Sequence, residues 1–126
     1  MAAASTLPIN TNASALQMAQ TIFGNGATVS GASYSGSSYS SGIYSNGDSV
    51  APGVTPSDTG VILSTGRASS FTNSSGQSNQ STARSTNTGG QNNHPDFNAA
   101  AGARTYDASY LDVHFVPTGS LMTLQF

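Results

Sequence analysis

The set of side chains in this sequence that most strongly suggests chemistry is His94-Pro95-Asp96 together with Asp107. An imidazole beside carboxylates can act as an acid–base pair or bind a metal ion. A zinc site, however, needs three or four ligands in fixed geometry. The chain has two histidines and no cysteine. His94 and Asp96 are therefore interpreted as residues of a polar loop.

Calcium fits the sequence better than zinc, because it accepts carboxylate, amide and backbone oxygens in loops. The candidate ligands are Asp48, Asp96 and Asp107. Neither the segment around Asp48 nor that around Asp96 has the ordered spacing of an EF-hand loop or a calcium-binding nonapeptide repeat. Calcium binding therefore stays an alternative, and no cofactor is predicted.

The sequence predicts no catalytic residues. A serine hydrolase needs a nucleophile elbow, usually Gly-x-Ser-x-Gly, and the segment at residues 31–36 does not have that spacing. Glycosidase chemistry needs two positioned carboxylates, but the five aspartates are scattered. No phosphate-binding loop is present either. The protein is therefore predicted not to be an enzyme.

Three tyrosines, Tyr34, Tyr39 and Tyr44, recur in a segment rich in serine and glycine. Aromatic rings stack on sugar faces while neighbouring hydroxyl groups bind sugar edges. A carbohydrate-binding module is therefore the alternative function, with glycans as partners. The competing interpretation is that each ring fills a sheet face or a turn.

The composition indicates one small folded domain with an uncharged surface. Of 126 residues, 36% are hydrophobic and only 6% are charged, with a net charge of −2. A low net charge and clustered apolar residues argue against disorder. Surfaces rich in Ser, Thr and Asn are typical of proteins outside the cell.

Composition also excludes some partners. The Lys and Arg residues number three, too few to drive nucleic-acid binding by counterion release. The absence of cysteine excludes a disulfide framework. No apolar run reaches the roughly 18–20 residues that span a bilayer, so no transmembrane segment is predicted.

The beginning of the chain divides into a leader and a helix. Residues 1–11 are predicted to be a flexible leader, and residues 12–126 a single β-rich domain. Asn12 or Ser14 is expected to cap a short helix whose buried face has three- and four-residue spacing. That face comprises Leu16, Ala19, Ile22 and Phe23.

The rest of the chain reads as short strands. Strands are expected at residues 27–30, 32–34 and 43–44, at 60–64 as a strand buried on both faces, and at 110–116 and 121–126. The last two are expected to form a hairpin, with Leu111, Val113 and Phe115 on the buried face of the first. Residues 67–100 are predicted to be an irregular, exposed segment. The predicted fold class is all-β, an antiparallel sandwich or jelly-roll-like domain with one short N-terminal helix.

Three blocks of sequence resemble the choice-of-anchor L domain family. They are the helix with Gly24-Asn25-Gly26-Ala27-Thr28-Val29-Ser30, then Asp58-Thr59-Gly60-Val61-Ile62-Leu63-Ser64-Thr65-Gly66, and finally residues 106–117 from Tyr106-Asp107 to Val116-Pro117. Their order and spacing agree with the family. An acidic Ser-Glu-Glu-Tyr motif that follows in the family is absent, so the chain is expected to be an N-terminal portion of the domain.

The resemblance implies a secreted bacterial protein of the cell surface or matrix, with no defined catalytic activity. The expected function is structural or adhesive contact, including self-association through an exposed strand edge. Besides the three tyrosines, the predicted interaction residues are Leu124 and Phe126. The expected location is extracellular or on the bacterial cell surface.

Overall fold

The computed structural model describes residues 6–72 and 86–126. Its strands are β1 (Ile9–Asn10), β2 (Ala27–Ser35), β3 (Ser41–Tyr44), β4 (Gly60–Leu63) and β5 (Tyr110–Pro117). Its helices are α1 (Ala15–Phe23), α2 (Gly47–Val50) and α3 (Pro95–Ala101), with a 3₁₀ turn at Ala68–Ser70. Within these residues the strands form two antiparallel sheets, one in the order β1-β3-β4 and the other β2-β5.

Helix α1 begins as its sequence predicts. The Ser14 side chain accepts a hydrogen bond from the Gln17 backbone N–H, and the Gln17 side chain accepts one from the Ser14 N–H. This reciprocal capping box satisfies two N–H groups that the helix itself cannot bond. The expected buried face is only partly correct, because Ala19 is buried but Leu16 and Ile22 are exposed. Met18 is buried in their place.

The predicted leader is wrong over residues 7–10. Ile9 and Asn10 form β1, which pairs with Tyr44 and Ile43 of β3. Just before it, Leu7 is buried and its N–H donates to Thr72 Oγ1 at 2.7 Å. This segment is therefore part of the first sheet, held by partners distant in sequence. Residues 1–5 lie outside the described residues.

Strands β2 and β5 confirm the predicted alternation. Leu111, Val113 and Phe115 are half-buried, whereas Asp112 and His114 are exposed. The two strands expected at 27–30 and 32–34 form one strand, β2, with a register shift between Val29 and Gly31. A bulge of this kind leaves one residue unpaired and increases the local twist.

Four other expectations need correction. Residues 121–126 form no strand, so the predicted hairpin with β5 is absent. Strand β4 is not buried on both faces, because Leu63 is 42% exposed and its other residues are half-buried. The segment at 67–100 contains the 3₁₀ turn and α3 within its described part. The fold is sheet-rich as predicted, but the described residues contain three helices instead of one.

The two sheets are connected by α1 and by a small polar network. Helix α1 contacts strands from both sheets, and the Phe23 ring stacks on Phe115 with a centroid distance of 4.5 Å. The Ser109 hydroxyl donates to the Ser40 carbonyl at 3.3 Å and lies 3.0 Å from the Tyr34 hydroxyl. Because Ser40 is fully buried, this network lies in the interior.

The hydrophobic core of the described residues is small. Its buried apolar members are Leu7, Met18, Ala19, Ala27, Tyr44, Ala51, Ala68 and Ala108. Five of these eight are alanines, which bury little apolar surface, so each larger member contributes a greater share of the stability.

Gly42 tests the packing of β1 against β3. A Cβ atom at Gly42 would lie 2.7 Å from both the Asn10 carbonyl oxygen and Ile9 Cγ2. We expect Gly42→Ala to lower the free energy of unfolding by about 1–3 kcal/mol, because β1 must shift. Gly31→Ala is the control, since a Cβ there has no neighbour within 4 Å and should change stability by less than about 1 kcal/mol. Equal urea midpoints for the two variants would contradict the position of β1.

Candidate functional site

An apolar groove of about 540 Å³ opens beside β4. We call it the β4 groove. It lies between α1, the edge of the first sheet and the segment at residues 123–126. Its lining comprises Thr21, Ile22, Tyr44, Pro56, Ser57, Thr59, Gly60, Val61, Leu63, Thr123, Leu124, Gln125 and Phe126. None of these side chains carries a charge, so the groove suits an uncharged occupant.

Tyr44 and Gly60 shape one side of the groove. They lie directly opposite each other in the β3–β4 ladder. A Cβ atom at Gly60 would come within 2.5 Å of the Tyr44 hydroxyl oxygen, so the tyrosine ring occupies the space that the glycine leaves. Tyr44 is consequently only 4% exposed. The missing side chain of one strand thus allows an aromatic ring of its neighbour to pack across the sheet.

The outer edge of β4 has no strand partner within residues 6–72 and 86–126. The Ser64 N–H donates to the Ser40 carbonyl at 2.8 Å, which sets the alternation of the β3–β4 ladder. By that alternation Gly60 and Ile62 point their backbone groups toward β3, and Val61 and Leu63 point theirs away from it. Within the described part of the chain, no hydrogen bond involves the outward groups of Val61 and Leu63.

The opposite wall of the groove is a segment with exposed apolar side chains. Thr118 holds its start, since its N–H and its hydroxyl donate to the Gly26 carbonyl at 3.1 Å and 3.0 Å. Beyond Thr118 the chain has no regular secondary structure, and Leu121, Leu124 and Phe126 are exposed. Apolar side chains left uncovered together mark a surface that gains free energy when another group covers it.

The five predicted interaction residues do not share one surface. Tyr44, Leu124 and Phe126 line the β4 groove together. Tyr34 lies elsewhere, and its hydroxyl donates to the Ser37 carbonyl at 2.8 Å. Tyr39 is 55% exposed, with the Arg67 guanidinium 4.7 Å above its ring centroid. The single exposed platform considered for Tyr34, Tyr39 and Tyr44 is therefore wrong, because Tyr44 is buried.

The three predicted calcium ligands do not form one metal-binding group in the described part of the chain. The described residues contain no group of three or more His, Cys, Asp or Glu side chains that could hold a metal ion. Asp107 Oδ1 accepts a hydrogen bond from the Gly90 N–H at 3.2 Å, so it fastens a loop. Asp48 and Asp96 are exposed in the first turns of α2 and α3, where a negative charge stabilises the positive end of a helix.

His94 has a structural role at the start of α3. Its Nδ1 accepts a hydrogen bond from the Asp96 N–H at 3.3 Å and so caps α3. Its ring stacks on Phe97 at 4.5 Å and meets Tyr110 edge-on at 5.1 Å. These contacts fasten α3 to β5.

Replacing His94 by alanine should therefore destabilise the protein. We expect His94→Ala to lower the free energy of unfolding by about 1–3 kcal/mol, from a lost cap and two lost aromatic contacts. His94→Asn keeps a cap acceptor and should recover about 1 kcal/mol of that loss. Urea unfolding monitored by circular dichroism measures both. Stability unchanged in the alanine variant would show that neither contact contributes.

Sequence reasoning identified part of the groove and missed the rest. The alternating apolar pattern of residues 121–126 predicts Leu124 and Phe126 as interaction residues. Val61 and Leu63, by contrast, are predicted to lie in a buried strand. The available signal is that β4 contains no charged residue and no proline. Exposed edge strands are usually protected by charged residues or proline. That signal has meaning only once β4 is known to lie at an edge.

The described residues form a small sheet-rich module with an apolar groove beside β4. The family model of the Choice-of-anchor L domain matches residues 6–126. The chain therefore belongs to the Choice-of-anchor L domain family, whose domains are non-enzymatic surface modules. This confirms the resemblance of the three sequence blocks. No curated protein and no solved structure gave a significant match. Among the described residues, none of the helices has the length and hydropathy needed to cross a bilayer.

Proposed function

We propose that this chain is a non-catalytic contact module of a secreted bacterial surface or matrix protein. Its function is adhesion or assembly through the β4 groove. The observation that carries this proposal is the coincidence, at the edge of β4, of apolar side chains with backbone groups that have no partner among the described residues. In this proposal the two sheets are the layers of a sandwich-like all-β fold, with α1 packed against strands of both.

The surface chemistry supports a role in contact. Leu63, Leu124 and Phe126 are exposed around one groove, and covering apolar surface contributes roughly 25 cal/mol per Å². A surface dominated by hydroxyl and amide groups keeps its hydration when the salt concentration changes, because there are few charges to screen. Both properties suit a protein that makes contacts outside the cell.

A carbohydrate-binding module is the second candidate. Tyr39 supports it, because this ring is exposed and has a guanidinium beside it, a combination that can stack on a sugar and bind its hydroxyl groups. The internal roles of Tyr34 and Tyr44 leave a single ring for that purpose. Binding to a glycan array that disappears in Tyr39→Ala but persists in Leu63→Asp would favour this candidate over the groove.

Cell labelling and attachment test the proposed function. An antibody against the tagged full-length protein should label intact bacteria of the producing strain. Leu63→Asp should reduce attachment of those cells about tenfold, because binding at the groove would desolvate the new charge. Thr28→Asp is the matched control, since it adds the same charge at an exposed position of β2 opposite the uncharged Val116.

Two outcomes contradict the proposal. Labelling only after permeabilisation would exclude a surface location. Equal attachment by wild type and Leu63→Asp, at equal surface amounts, would exclude the groove as the contact surface.

A further inference from the structure

We infer that the β4 groove receives residues 121–126 of a second copy of this chain as an added strand. This inference rests on the proposed contact function and specifies its partner. It makes the module self-associating, with an acceptor edge and a donor segment in every copy.

The acceptor edge has both components that strand addition needs. Val61 and Leu63 supply outward N–H and C=O groups for main-chain hydrogen bonds, which give affinity, and the groove beside them can receive alternate side chains of the added strand. Natural edge strands are commonly protected by charges, proline or bulges. The sequence Gly60-Val61-Ile62-Leu63 has neither a charge nor a proline.

The donor segment has the sequence of a strand but no strand partner among the described residues. Met122, Leu124 and Phe126 alternate with Leu121, Thr123 and Gln125, so an extended conformation would place three apolar side chains on one face. When the segment pairs as a strand with the edge of β4, its alternating apolar side chains can enter the β4 groove.

A second copy fits the groove better than the segment of the same chain. Within one molecule, residues 123–126 already form a wall of the groove, and about 540 Å³ remains between that wall and β4. Thr118 holds the start of the segment against Gly26 through its N–H and hydroxyl hydrogen bonds. The space that remains beside the edge of β4 is therefore open to a segment of another chain.

The donor segment and the groove are compatible because both are uncharged in their side chains. The groove lining and residues 121–126 contain no charged side chain, so their association buries no charged side chain that would need a partner. The net charge of −2 per chain also makes repulsion between copies small.

Two variants block the two halves of the interaction separately. Leu63→Pro removes an outward N–H group. An edge strand tolerates this substitution because no hydrogen bond to β3 is lost. Met122→Asp places a charge on the apolar face of the donor strand, at a position outside the groove lining. Ser120→Asp is the matched control, because it adds the same charge at an exposed position outside both the groove lining and residues 121–126. Should Leu63→Pro fail to fold, Leu63→Lys charges the groove without changing the backbone.

Light scattering from about 1 µM to 1 mM protein measures association, since mass action makes it depend on concentration. Wild type and Ser120→Asp should gain mass as concentration rises. Each blocking variant should weaken association about 100-fold, equivalent to two factors of ten in Kd. An equimolar mixture of both blocking variants should form dimers, because one keeps the donor strand and the other keeps the acceptor edge.

Three results would overturn the inference: a wild type that stays monomeric throughout, association that survives both blocking variants, or a mixture of the two that stays monomeric. The proposed function has a separate outcome. If the wild-type protein stays monomeric but Leu63→Asp still reduces attachment of cells, the proposed contact surface is retained and strand exchange is excluded.

Discussion

Met18→Ala is expected to lower the free energy of unfolding by about 2–5 kcal/mol, the range for removing a large side chain from a packed core. Met18 is 1% exposed and lies on the face of α1 that is buried with Ala19. Helix α1 contacts both sheets, so a cavity at Met18 weakens the packing that connects them. Small domains have total stabilities of about 5–15 kcal/mol, which makes this loss large.

Leu16→Ala is the control for Met18→Ala. Leu16 lies on the same helix and is 43% exposed, so its truncation creates no cavity. Its cost should stay below about 1 kcal/mol, since leucine and alanine have similar helix propensities. Urea unfolding of both variants measures the difference. Similar losses for Leu16→Ala and Met18→Ala would mean that α1 does not pack in the described orientation.

Tyr44→Ala is expected to cost about 3–5 kcal/mol, as for other buried aromatic side chains. Its ring packs over Gly60 and lies beside the β4 groove, so the variant should lose stability and deform the groove together. The Tyr44 hydroxyl is 3.5 Å from Ser57 Oγ, a long contact. Tyr44→Phe should therefore cost less than about 1 kcal/mol.

Tyr39→Ala provides the comparison at a tyrosine of the same serine- and glycine-rich segment. Its ring is exposed and contacts the Arg67 guanidinium, an interaction of about 0.5–1 kcal/mol at an exposed site. Thermal unfolding of Tyr39→Ala and Tyr44→Ala should show a clear difference in Tm. Equal shifts in Tm would contradict the burial of Tyr44.

Local signals in the sequence predicted the elements that depend on local contacts. Ser14 and Gln17 form their capping box within one helical turn, so the sequence alone restricts the start of α1 to Asn12 or Ser14. The alternation of Leu111, Val113 and Phe115 likewise identifies β5 and its buried face. Both features depend on residues close together in the chain.

Features that depend on distant partners were not predictable from the sequence. Strand β1 exists because Ile9 pairs with Tyr44, and Leu7 is held by Thr72, which is 65 positions away. Residues 121–126 have strand-like alternation, but alternation alone does not supply a neighbouring strand. The sequence gives the capacity to pair, and the tertiary structure determines whether a partner is available.

The three tyrosines show the same limit at the candidate site. Each follows serine or isoleucine in a similar local sequence, yet their environments differ. Tyr34 lies 3.0 Å from the Ser109 hydroxyl, Tyr39 lies under Arg67, and Tyr44 packs on Gly60. In every case a residue distant in sequence determines whether the ring is exposed, and local composition does not contain that information.

The most direct measurement of the contact surface is residue-resolved amide hydrogen exchange at low and high protein concentration. In dilute protein, Val61 and Leu63 should exchange much faster than Ile62 and Ser64, whose N–H groups face β3. At high concentration, Val61 and Leu63 should become protected because an added strand bonds them. Two results would contradict an open β4 edge as the contact surface. One is protection of Val61 and Leu63 already in dilute protein. The other is fast exchange of these two residues at a concentration where the molecular mass has doubled.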